Sequence, residues 1–155
     1  MHDALLFVHS YLRWLVLGLL LAALLFGARG WMGARPWSKR DQRLGLILVA
    51  ALDLQLLLGL IVYMLSPIIA TALGDMGAAM RTSAIRFWFV EHLLLMLAAI
   101  SAAHVTWVLV KRAADDLHRH RRTTIGFGVT LLLLLAAIPW PFLSYGRPLL
   151  RGITG

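Results

Sequence analysis

The sequence predicts an all-α integral membrane protein, a bundle of four transmembrane helices, and three observations carry that prediction. Of its 155 residues, 61% are hydrophobic and only 14% charged, where a soluble domain has roughly 45–50% and about 25%. Four apolar runs, residues 4–26, 44–65, 85–110 and 125–145, each offer the ~20 residues that a bilayer crossing needs. The net charge of +8 gathers in two short connections, residues 29–43 and 111–124, the distribution that keeps such connections cytoplasmic. The N-terminus, residues 66–84 and the C-terminus then face outward, and one domain accounts for the whole length. The same placement of charge argues against a nucleic-acid partner, which would need a basic face on a water-exposed surface. The chain has no cysteine, so disulfides, thioether-linked haem and thiolate-held metal clusters are excluded.

The first run opens on Met1-His2-Asp3 and is interrupted by His9 and Arg13. A cleaved signal peptide has a basic start and an unbroken apolar core, so a retained helix is expected. Trp31 and Trp37 flank the first basic connection and suit the headgroup level. The second run carries Asp53 and Gln55 and stops at Ser66-Pro67. In residues 66–84, Ile69, Leu73, Met76 and Met80 recur at helical spacing, which fits a short interfacial helix over the bundle mouth. An apolar loop is the alternative.

The third run, RFWFVEHLLLMLAAISAAHVT, holds Glu91, His92 and His104. Ionisable groups at such depth are costly and mark functional sites. His118 and His120 in the second basic connection read as solvated, without a site role. In the fourth run Pro139-Trp140-Pro141 removes backbone donors, so the helix should kink or end near Ile138. Trp140 and Tyr145 suit the interface, and a tail with Arg147 and Arg151 follows.

This topology puts His9 and His92 at one level, each a few residues inside the outer end of its helix. Two histidines from different helices at one depth are eligible to ligate a haem iron together. His104 lies ~18 Å further in and is turned by roughly 120°, so it cannot share that iron. Arg13, one turn below His9, needs a partner in hydrocarbon, and Asp53 or Glu91 could supply it. Arg81, Arg86, Arg147 and Arg151 gather at the outer end, where guanidinium forks suit haem propionates or lipid phosphates. Ala99 and Ala103 share the His92 face and fit either close helix packing or a flat macrocycle. Gln55 reads as an interhelical hydrogen bond.

Four motifs, His9-Ser10-x-Leu12-Arg13-Trp14, Gln55-Leu56-Leu57-Leu58-Gly59, Arg86-Phe87-Trp88-x-x-Glu91-His92 and Ile138-Pro139-Trp140-Pro141-Phe142, resemble a family of small bacterial four-span membrane proteins labelled cytochrome b or cytochrome b-like. The resemblance implies the bacterial inner membrane, one haem b and a functional core of His9, Arg13, Glu91 and His92. Some relatives have a histidine where this chain has Asp53, so the resemblance does not extend to two haems. The expected function is electron transfer through one haem held by His9 and His92, with Arg13, Arg86, Glu91 and Arg147 around it. Quinone, other membrane subunits or a second copy are the expected partners. A haem-free accessory subunit of a larger membrane complex and a small transporter or ligand-binding membrane protein remain open alternatives.

Overall fold

A computed structural model describes residues 2–149; Arg151 lies outside the described residues. The chain is helical, without strands among the described residues: α1 (His2–Met32), α2 (Lys39–Met64), α3 (Pro67–Gly74), α4 (Met76–Arg81), α5 (Ser83–Arg86), a π-helical turn (Phe87–Glu91), α6 (His92–Lys111) and α7 (Asp116–Ala137). The long helix α1 packs on α2 and α7, and α6 packs on α7 and α2, so the four close on one another. Their shared core contains Leu20, Leu48, Leu52, Ala99, Ala103 and Phe127. Ala99 and Ala103 are therefore helix-packing residues; both are wholly buried.

Three helices, His2–Met32, Lys39–Met64 and the continuous Ser83–Lys111, are long and apolar enough to cross a membrane. The fourth run departs from expectation. Helix α7 begins inside the basic connection at Asp116 and ends at Ala137, so residues 138–145 are not helical. Its apolar helical part, residues 125–137, covers only ~20 Å against ~30 Å of hydrocarbon. The break at Ile138 falls where Pro139 and Pro141 remove the donors that would continue the ladder.

The basic connections are much shorter than their charge suggests. Helix α1 runs on to Met32, and α2 starts at Lys39 behind a reciprocal cap. The Ser38 hydroxyl accepts from the Asp41 N–H (3.3 Å), while Asp41 Oδ2 accepts from the Ser38 N–H (3.0 Å). Two orphan amides at a helix start are satisfied at once. Arg35 reaches the other Asp41 oxygen at 2.8 Å. Asp115 likewise caps α7 by accepting from the His118 N–H. That bond and one from the His118 ring hold the Asp115 carboxyl below its ordinary range. His118 is accordingly exposed at the basic end. His120 is not. Its ring is fully buried, packed at a tilt of 55° against Trp37 with centroids 4.9 Å apart, and seated against Gly30, where any Cβ would collide with it. The expectation that both histidines are solvated therefore fails for His120, because α7 continues through the basic stretch and turns that residue inward.

Residues 66–84 are helical, as α3 to α5. Of the expected side only Ile69 is inside, together with Ala72 and Ala79, whereas Leu73, Met76 and Met80 face out. The chain turns at the Asp75 cap between α3 and α4, which breaks the single register that the periodicity assumed.

Candidate functional site

His9 on α1 and His92 at the start of α6 line the same two adjoining cavities, of about 290 Å³ and 70 Å³, at the end of the bundle away from the basic connections. Gln55, Trp88, Met96 and Arg147 border both cavities as well. Arg13 borders the smaller, while Tyr63 and the start of α3, Pro67 to Ile69, close over the larger. The walls are overwhelmingly apolar with a few convergent polar groups, the usual make-up of a ligand pocket.

His92 is set by three local features. The π-helical turn precedes it immediately, with the His92 N–H reaching the Phe87 carbonyl; such turns re-aim the side chains around them and recur at functional sites. Phe87 and Trp88 then pack on the imidazole at 5.8 and 5.5 Å between centroids. Finally, Nδ1 lies 2.8 Å from the Ala137 carbonyl oxygen. A carbonyl only accepts, so Nδ1 carries the proton, and in the neutral ring Nε2 keeps its lone pair. That carbonyl is available because its helical partner would be the N–H of residue 141, a proline. The same logic operates two residues earlier. Pro139 frees the Leu135 carbonyl, and the Trp140 indole N–H takes it at 2.9 Å. The Pro-Trp-Pro run thus both ends α7 and orients His92.

His9 is held from α2. The Gln55 amide donates to the His9 carbonyl oxygen (3.0 Å) and lies 3.3 Å from His9 Nε2. One turn on, Gly59 makes room for the ring, since a Cβ there would stand 2.9 Å from Cε1. The expected interhelical bond of Gln55 is present, and its partner is the histidine itself. His9 Nδ1, Gln55 Oε1 and Arg13 Nε are buried without a hydrogen-bond partner among the described residues. Three such atoms around one cavity are unusual, because buried polar groups are nearly always paired.

The other expected residues fall into two groups. Arg147 borders both cavities and lies over Trp88 at 4.9 Å. Arg86 and Glu91 do not border them. Arg86 Nε donates to Glu91 Oε1 at 2.6 Å and its fork also reaches the Met80 carbonyl. The wider π turn brings residues five apart onto one side, a juxtaposition that ordinary helical spacing hides. Arg81 is exposed on α4 and away from the cavities.

The expected ion pair of Arg13 with Asp53 or Glu91 is absent among the described residues. Its guanidinium donates to the Leu149 carbonyl at 3.0 Å, beside the Trp14 indole, which donates to the same oxygen at 3.1 Å. Neither candidate acid is free for it: Glu91 holds Arg86, and Asp53 holds His104 at 2.7 Å. Arg13 follows the His9 side of α1 into the cavity, whereas Asp53 faces out of the bundle, so equal depth did not mean proximity.

No three His, Cys, Asp or Glu side chains gather as a metal site among the described residues. Two imidazoles alone leave most of a metal's coordination unfilled. No family model, curated protein or solved structure matches this chain.

Proposed function

We propose that the protein binds one b-type haem between His9 and His92 and serves electron transfer in a bacterial inner membrane. The observation that carries this reading is the pair of imidazoles from two helices on one apolar cavity, amid buried polar atoms that lack partners. His92 is held in the tautomer that leaves Nε2 able to ligate, and Gly59 makes room beside His9. Arg13 and Arg147 would stand opposite the carboxylates of such a group; Arg13 meets a backbone carbonyl and no Asp or Glu among the described residues. The haem would supply one-electron chemistry. The chain's own part would be to ligate from two helices, to orient the His92 ring through the Ala137 carbonyl, to anchor the α1 backbone at His9 through the Gln55 amide, and to exclude water with Trp88, Met96 and α3.

The test is the spectrum of the purified protein. A reduced-minus-oxidised difference with b-type bands, at one haem per chain by pyridine haemochrome, is the expected result. A colourless protein that stays colourless after haem is added would overturn the reading and favour a haem-free membrane subunit.

The reading also includes orientation. In the proposed membrane arrangement α7, continued by the apolar residues 138–145, forms the fourth crossing, with both termini outward. In intact cells an impermeant thiol reagent should label Asp75→Cys and spare Lys39→Cys. The opposite labelling would reverse the bundle and put the cavity on the cytoplasmic side.

A further inference from the structure

Asp53 and His104 meet on the outside of the bundle. His104 Nε2 lies 2.7 Å from Asp53 Oδ1 across the seam between α2 and α6, and the two side chains are 49% and 50% exposed. Both belong to helices long and apolar enough to cross a membrane. Along the helix axes Asp53 lies ~15 Å from Arg43 and His104 ~10 Å from Lys111, so the pair sits below the headgroups and within the ~30 Å hydrocarbon layer. The exposed surface around it is apolar, with Leu54 and Leu57 on α2 and Leu97 and Val105 on α6. A polar pair facing acyl chains is costly, and a protein cover removes that cost.

The hydrogen-bonding capacity left on the pair identifies the cover. Within hydrocarbon the pair is stable only if net neutral, with one proton on His104 Nδ1 and one shared between Nε2 and Oδ1. Their mutual bond uses Nε2–H and Oδ1. One donor, His104 Nδ1–H, and one acceptor, Asp53 Oδ2, are left, and neither has another hydrogen bond among the described residues. One donor beside one acceptor is self-complementary. A two-fold axis along the membrane normal brings the same pair of a second copy to the same depth, so each Nδ1–H can meet the other copy's Oδ2. Ala50, Ala98 and Ser101 are exposed within two turns of the pair and let backbones approach closely. We propose that a second copy of this chain docks on the α2–α6 face, forming a parallel two-fold dimer closed by a ring of two His104 and two Asp53 side chains. The dimer does not depend on the haem reading.

Because the chain has no cysteine, single thiols report the interface cleanly. The purified protein, reconstituted in phosphatidylcholine vesicles at high dilution, would carry either Ser101→Cys on the proposed face or Leu132→Cys on the exposed side of α7. Mild oxidation should yield disulfide-linked dimers from the first and none from the second. In a dilution series read by energy transfer between labelled copies, the double variant Asp53→Leu/His104→Leu should dimerise roughly tenfold more weakly than the parent, the scale of a few interhelical polar bonds in lipid. Both side chains face outward, so helicity by circular dichroism should not change. Three results would overturn the proposal: a monomeric parent at every dilution, cross-linking at Leu132→Cys instead of Ser101→Cys, or a double variant with parental helicity that dimerises as tightly as the parent.

Discussion

Replacing His92 by alanine is expected to abolish the b-type spectrum, and replacing His9 should do the same. Alanine at His2, His104, His118 or His120 should leave it intact. Each outcome follows from where the ring sits. His104 is committed to Asp53 on the outer surface, ~18 Å along the helix from His92. His118 caps the far end with Asp115, and His120 is sealed beneath Gly30 and Trp37 at that same end. His9 and His92 border both cavities from facing helices, whereas His2 borders the larger one alone. Two intermediate cases separate ligation from orientation. Gln55→Leu removes the amide that anchors the His9 backbone carbonyl, and Pro141→Ala returns an N–H that can compete with His92 for the Ala137 carbonyl. Groups that orient a ligating histidine typically cost 10–100-fold in affinity when lost, so both variants should keep the band positions but release haem about tenfold or more readily. A spectrum retained in His92→Ala but lost in His104→Ala would place the haem at the other end and sink the assignment.

The residues bordering the cavity were partly legible in the sequence. A histidine in each of two apolar runs, near ends that share one side of the membrane, led to His9 and His92, and topology alone brought them to one level. Arg13 and Arg147 were legible as cations near that level. What periodicity could not show was direction. Glu91 is expected at the cavity from the resemblance and Arg86 from its place at the outer end, but across the π turn the two pair with each other instead. Asp53 looked like the partner of Arg13 because both lie at mid-depth, yet depth constrains only one of three coordinates. The signal for the His92 acceptor was present and unused: a proline at 141 announces an unpaired carbonyl at 137. The end of α7 was foreseen from the same prolines. Its start was not, because basic residues read as a connection although Lys and Arg are good helix formers.

A large stability effect is expected at the contact between Gly45 and Trp107. A Cβ on this α2 residue would fall within the Trp107 ring of α6, and Trp107 is itself only 6% exposed in the shared core. Gly to Ala inside a helix ordinarily gains about 0.8–1.0 kcal/mol from propensity. Here the collision forces two helices apart or the indole off its rotamer, a cost of about 1–3 kcal/mol, so Gly45→Ala should be destabilising and Gly45→Leu severely so. Gly18 is the internal control, with nothing within 4 Å of its would-be Cβ; Gly18→Ala should stabilise by up to about 1 kcal/mol. Trp107→Ala should cost about 3–5 kcal/mol through the cavity it leaves. The decisive measurement is the double variant Gly45→Leu/Trp107→Ala. The leucine can then occupy part of the space vacated by the indole, so unfolding in detergent should show a loss smaller than the sum of the single losses by about 1 kcal/mol or more, the scale of coupling between residues in contact. Strict additivity would mean that Gly45 and Trp107 do not meet, and the α2–α6 packing that also brings Asp53 to His104 would have to be redrawn.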